Sequence, residues 1–173
     1  MADRVIKALC VLFLLPVFLL CSCSSESSDN KPLNSRFSAD FQAQYKEMTI
    51  KGSLSSAGRG VMNLNVTYPE TLSGLSVNYK NSEMLICRDS LECSADEAYI
   101  PSESFPNTVY LIVTGLADGR QEFESKNENY NTYNLKTSLG NCIVNVDEQG
   151  NIAKAEISKT KFDITFSNVK VIQ

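Results

Sequence analysis

The sequence predicts a mainly β domain with one or two helices, of the α+β class. A curved antiparallel sheet forms an open half-barrel, and a helix lies in its concavity. Three observations predict it. From Arg36 onward apolar and polar residues alternate with period two through most of the chain, the pattern of strands with one buried face. One stretch, Ser104 to Gly119, shifts to helical spacing. A single helix cannot cover a flat sheet of about nine strands, so the sheet must curl around it.

The chain has 173 residues and divides into three parts. Residues 1–22 read as a lipoprotein signal peptide. Arg4 and Lys7 supply a positive start, and Ala8 to Leu20 are apolar but too few to span a bilayer comfortably. Leu20-Cys21-Ser22-Cys23 resembles a bacterial lipobox, with cleavage between Ser22 and Cys23 and acyl chains on Cys23. Cys21 is the poorer lipidation site because bulky Leu20 would precede the cut. The alternative is a plain secretory signal with incidental cysteines. Residues 23–35 are polar and Ser-rich and read as a flexible tether, able to extend to roughly 40 Å. Residues 36–173 are the half-barrel domain.

Within that domain, Phe37, Ala39, Phe41, Ala43 and Tyr45 alternate with polar neighbours in a long first strand. It is expected to continue, through a bulge, into Met48 to Leu54. Ser55 to Gly60 is a turn. Met62, Leu64, Val66 and Tyr68 form the next strand, which Pro69 closes. Leu75 to Tyr79, Met84 to Cys87 and Leu91 to Ala95 follow as shorter strands. In the helical stretch Phe105, Val109, Ile112, Val113 and Leu116 share a face. Ser104 suits its cap, Pro106 its first turn and Asp118-Gly119 its end. Gly115 opposes this reading by about 1 kcal/mol. Strands resume at Gln121 to Ser125, at Tyr133 to Leu139 and at Cys142 to Val146. A hairpin turn over Asp147 to Gly150 leads to Ala153 to Ile157, and Phe162 to Val171 closes the sheet.

Composition limits function. The sequence has 16 basic and 20 acidic residues. Without residues 1–22 there are 14 basic and 19 acidic, a net charge of −5. Such a surface does not favour nucleic acid. With no histidine the commonest general base, the Ser-His and Cys-His dyads and histidine metal sites are excluded. Three cysteines lie beyond the tether: Cys87, Cys93 and Cys142. Cys87 and Cys93 are close enough to bridge across a hairpin in an oxidising compartment, or to remain as two buried thiols. Cys142 reads as core.

Other candidate sites are weak. Ser158-Lys159-Thr160-Lys161 matches S-x-x-K, but it falls between strands and its companion motifs are missing. It reads as a turn. Glu122 and Glu124 share a strand face and read as solvated rather than as a carboxylate pair. Gly58-Arg59-Gly60 lacks the G-K-[ST] of a phosphate loop. Asp147 to Gly150 lacks calcium-loop spacing. Asn65-Val66-Thr67 is a formal glycosylation sequon placed in a strand.

The long strand with Phe37-Ser38-Ala39-Asp40-Phe41, and Gly60 through Leu72 with its strand ending in an aromatic-Pro turn, resemble the LolA/LolB lipoprotein carriers. Ser94 through Pro101 is similar to small secreted lipoproteins of low-GC Gram-positive bacteria. The resemblance implies a half-barrel that holds a lipid or other hydrophobic ligand on its concave face. It assigns no ligand-binding residue. The expectation is a non-catalytic lipoprotein without a cofactor or metal, anchored through Cys23 to the extracytoplasmic face of a cell membrane. Its partner is a lipid or an envelope protein, not nucleic acid. The alternative is an interaction lipoprotein that docks or regulates an envelope or spore-associated enzyme.

Overall fold

The structure is a computed structural model and describes residues 33–80 and 82–172. Among the described residues, eleven antiparallel strands form one sheet. In chain order they are β1 (Arg36–Tyr45), β2 (Met48–Gly58), β3 (Val61–Tyr68), β4 (Ser76–Lys80), β5 (Glu83–Arg88) and β6 (Leu91–Asp96), then β7 (Gln121–Lys126), β8 (Asn131–Thr137), β9 (Gly140–Val146), β10 (Ile152–Ile157) and β11 (Phe162–Val171). An α-helix, α1 (Phe105–Ala117), separates β6 from β7. Single 3-10 turns lie at Glu70–Leu72, Glu97–Tyr99 and Ser158–Thr160. Across the sheet the order is β6-β5-β4-β3-β2-β1-β11-β10-β9-β8-β7. Strands consecutive in sequence pair with one another, except β6 and β7, which α1 separates and which lie at opposite edges; β1 also pairs with β11 and joins the two halves.

The sheet curls, and α1 measures the curl. The helix packs against β2, β3 and β8. β3 and β8 are six strand positions apart, roughly 29 Å on a flat sheet at about 4.8 Å per strand. A helix about 10–12 Å across touches both only if the sheet bends around it. The open half-barrel with a helix in its concavity is therefore the observed fold, and the free edges are β6 and β7.

The strand alternation decides which face is inside. Phe37, Ala39, Phe41 and Ala43 of β1 are buried, while Arg36, Asp40, Gln42 and Gln44 face solvent. Leu64 and Val66 of β3, Leu135 of β8, Val144 of β9, Ala155 of β10 and Ile164 of β11 add to the same core. From the helix come Phe105, Val109, Tyr110, Ile112, Val113 and Leu116. Tyr79 and Tyr110 stack with ring centroids 4.2 Å apart. A β-carbon on Gly115 would come within 2.8 Å of Leu135 Cδ1. The glycine that weakened the helical reading is what lets α1 lie close to β8.

The turn expected over Ser55 to Gly60 is confined to Arg59-Gly60, because β2 runs on through Gly58 and keeps pairing with β1. Three further expectations need correcting. The first strand does not run on past Tyr45. Lys46 takes a left-handed conformation (φ 58°), and a two-residue turn sets Tyr45 opposite Met48. Lys-Glu is not a pair that favours such a turn, which is why the sequence hid it. Second, eleven strands replace about nine, chiefly through this split. Third, the domain begins before Arg36. Leu33 packs on the core, Asn34 N donates to Gly150 O (2.9 Å), and Asn34 Nδ2 donates to Asn151 Oδ1 (2.9 Å). Ser35 O accepts from the buried Ser56 hydroxyl (2.8 Å). The signal-peptide reading and the first part of the tether, with Ser22 and Cys23, lie outside the described residues. No helix among the described residues is long and apolar enough to cross a membrane.

Candidate functional site

The N-terminal turn of α1 does not lie flush on the sheet. Beneath it is a cavity of about 170 Å³ between the β1–β2 hairpin end, β3, the 3-10 turn at Glu70–Leu72 and Phe105-Pro106. Its surface is entirely apolar: Tyr45, Met48, Ile50, Val66, Leu75 and Phe105 are among the residues that line it. Phe105 anchors it to the core. Its ring lies 5.9 Å from Phe41, 5.9 Å from Tyr45 and 6.2 Å from Phe162, within the range of favourable aromatic contacts. The Tyr45 hydroxyl donates to the Glu103 carbonyl, tying the hairpin end to the segment that enters α1. Met48 is 44% exposed and stands at the rim. Lys46 Nζ lies 5.2 Å from the Tyr45 ring centroid.

The entry to α1 is loosely bonded for a buried helix end. Ser104 has the extended backbone of an N-cap, but its side chain makes no capping bond. Its buried hydroxyl and the Asn107 Oδ1 have no partner among the described residues. Asn107 Nδ2 donates to Ser102 O and Thr108 Oγ1 to Ser104 O. The other end is better held. Arg59 Nε lies 3.2 Å from Asp118 Oδ1 and reaches the Ala117 carbonyl at 3.5 Å, a cation at the negative end of the helix dipole. Gly119 (φ 70°) follows as the helix stop.

Chemically the cavity can exclude water and accept a carbon chain or ring. Apolar cavities near 150 Å³ stay dry and take up benzene-sized guests, whereas sites for whole drug-sized ligands run to about 300–1,000 Å³. The volume as it stands admits one ring or the end of one acyl chain. No acidic or basic side chain lines it.

The other sequence candidates fall elsewhere. Cys87 and Cys93 do not bridge, which corrects the hairpin reading. Both are free thiols, and neither is buried as the alternative expected: Cys87 is half-buried and Cys93 exposed. The register sets Cys87 opposite Glu92 and Cys93 opposite Ile86, so the two cysteines project from opposite faces of the β5–β6 ladder. Cys142 is fully buried, and burial pushes its thiol up to about 12. Ser158 opens the 3-10 turn between β10 and β11 and Lys161 follows it; Ser158 Oγ donates to Glu156 Oε1 (3.3 Å). Glu122 pairs with Lys136 at 3.0 Å on the exposed surface. Asp147 Oδ1 accepts from the backbone of Gln149 and Asn151 and so holds its own turn. No group of three or more His, Cys, Asp or Glu among the described residues is arranged to hold a metal ion. The cavity was partly legible, since its strand residues follow the alternation. Its position under the helix entry was not, because no local signal says where a helix leaves the sheet.

No protein-family model and no curated protein matches the sequence. Among solved structures the chain is similar to a LolA superfamily protein from Nitrosomonas europaea, at 11% identity over 81% of this chain and 87% of that one, with a TM-score of 0.43. It is similar to an uncharacterized conserved protein from Thermus thermophilus, at 10% identity over 82% of each chain, with a TM-score of 0.53. A third is a Vibrio parahaemolyticus domain described as a candidate for outer membrane lipoprotein sorting, at 10% identity over 84% of this chain and 88% of that one, with a TM-score of 0.41. At these identities the likeness is one of fold. The Thermus protein, with the highest score of the three, carries it.

Proposed function

We propose that this chain is a non-catalytic, membrane-anchored lipoprotein whose domain binds a lipid acyl chain or similar hydrophobic ligand on its concave face. In this reading the chain is cut between Ser22 and Cys23, and Cys23 carries the acyl anchor on the extracytoplasmic face of a cell membrane. Two or more acyl chains suffice for stable attachment. The observation that carries the ligand reading is the wholly apolar cavity under the entry of α1. Its rim is made of Met48 and Tyr45, and its roof is a helix turn with unspent hydrogen-bonding groups. A whole acyl chain needs more room than about 170 Å³, so binding requires the Ser104–Asn107 turn to lift while the Gly115–Leu135 contact holds the other end.

The test is native mass spectrometry of the full chain gently extracted from its membrane. The expected result is a population carrying an added mass of lipid size, released by raising the detergent. Protein free of lipid at every detergent level overturns the ligand reading. The anchor has its own readout: the native N-terminal peptide begins at Cys23 with acyl mass added, and an unmodified Cys23 overturns it.

A second reading is favoured by the two open sheet edges, β6 and β7. An interaction lipoprotein would use one of them to add a strand from an envelope protein. A membrane pull-down that returns only the bait counts against it.

A further inference from the structure

We infer that the outer, polar face of the sheet holds a second site, a shallow trough that binds a neutral oligosaccharide. It lies on the opposite face from the apolar cavity and does not depend on the reading above. Two depressions of about 520 and 720 Å³ open side by side across β11, β1, β2 and β3, and both are lined by Asp40 and Ser53, which are cross-strand partners. Irregularities in the ladders bracket them. The β1–β11 register shifts between Ser38 and Asp40, where Asn168 takes a left-handed conformation (φ 53°). The β2–β3 register shifts between Lys51 and Gly52. Such bulges bend and twist a sheet locally.

The lining decides the ligand class. Lys51 and Lys170 accompany the single carboxylate of Asp40, so the trough has no strong field for a polyanion or a polycation. Neither depression is lined by an exposed aromatic ring that could stack on a base. What remains is a field of hydroxyls and amides, among them Ser38, Ser53, Asn65, Thr67 and Thr165.

Two acceptors in the trough, Asn65 and Asp40, are set in advance. Asn65 Nδ2 donates to Asn63 Oδ1 (2.7 Å), Asn63 to Asn78 Oδ1, and Asn78 Nδ2 to Ser76 Oγ (3.4 Å). The ladder runs one way and leaves the Asn65 side-chain oxygen, Oδ1, at its head, beside the trough. Asn168 Nδ2 donates to Asp40 Oδ2 (2.7 Å) and leaves the other carboxylate oxygen for a ligand. Fixed acceptors, one of them charged, among rotatable hydroxyls match the hydroxyl groups of a sugar, which donate and accept together. Strands about 4.8 Å apart repeat these groups on the scale of successive pyranose rings. Each new bond replaces one to water, so affinity is modest and rests on this preorganisation.

The experiment uses the full chain in phosphocholine micelles, with chitotetraose and maltotetraose as probes, followed by calorimetry and by hydrogen exchange. At least one sugar is expected to bind with a dissociation constant of about 1 mM, protecting β1, β2, β3 and β11 and leaving β6 unchanged. Asp40→Asn is expected to weaken binding about tenfold by removing the charge from the strongest acceptor, while Glu92→Gln at the sheet edge keeps wild-type affinity. Asn65→Ala is a second variant, expected to weaken binding several-fold with the fold verified by circular dichroism. Absence of heat and protection with both sugars at about 10 mM, protection elsewhere, or unchanged affinity in both variants overturns the proposal. So does protection of the same strands by an extended polar peptide alone.

Discussion

A β-carbon on Gly52 would lie 1.9 Å from the Asn65 carbonyl oxygen and 3.0 Å from the Phe41 ring. Neither neighbour can yield, because one is backbone and the other is buried core. Gly52→Ala is therefore expected to destabilise the domain by at least about 3 kcal/mol, the upper end of overpacking costs, measured by urea denaturation. The cysteines offer a second test at this scale. Cys93 is exposed and Cys142 is buried with its thiol pushed up to about 12 from 9.0. In native protein an aromatic disulfide reagent should label Cys93 at once and leave Cys142 unlabelled until the protein is denatured. The sign for stability follows. Above pH 9 the unfolded thiol loses its proton while the folded one keeps it, so stability is full below about pH 9 and is lost as pH rises toward 12. A pH series of denaturation midpoints checks this, and Cys142→Ala should flatten that limb.

At the scale of elements, α1 is held unequally at its two ends. Ser104 occupies the cap position, but its hydroxyl bonds nothing among the described residues. Where such serines normally contribute about 1 kcal/mol, Ser104→Ala is expected to change stability by less than about 0.5 kcal/mol, since no cap bond is lost. Phe105→Ala removes a ring packed on Phe41, Tyr45 and Phe162. It is expected to cost about 3–5 kcal/mol and to enlarge the cavity. If the cavity is the ligand site, the folded variant should take up a fluorescent apolar probe more readily than wild type. Unchanged uptake argues against the cavity as the entry point.

For the molecule as a whole, the β1–β11 pairing is the seam. Eight residue pairs join these strands across more than a hundred residues of chain, and β1 is also paired along its length with β2. The flanks differ. β6 is almost wholly solvent-exposed, with Leu91 75% exposed, and β7 is nearly the same. Local opening follows burial and pairing. Hydrogen exchange should therefore be slowest in β1, β2 and β11 and fastest in β6 and β7, by several orders of magnitude. Comparable rates at the edges and the seam would contradict this architecture.

By itself the sequence determined the class of fold and the inside of most strands. Period-two alternation such as Phe37 to Ala43 leaves one face apolar whatever lies against it, and the change to helical spacing at Phe105 pointed to the helix against the strand preference of its Thr, Val, Tyr and Ile residues and the cost of Gly115. It also located the helix stop at Asp118-Gly119, because that chemistry is local. Only the tertiary structure decided what depends on distant partners. The turn at Lys46-Glu47 forms without favoured turn residues, because β1 and β2 pair along ten residues and bury a common face. The orientation of Cys87 and Cys93 depends on a register that one residue of slip would invert. The cavity arises where Phe105 and Pro106 of α1 meet strands from the start of the domain, and the trough where β11 pairs with β1; no local pattern encodes the space between such partners.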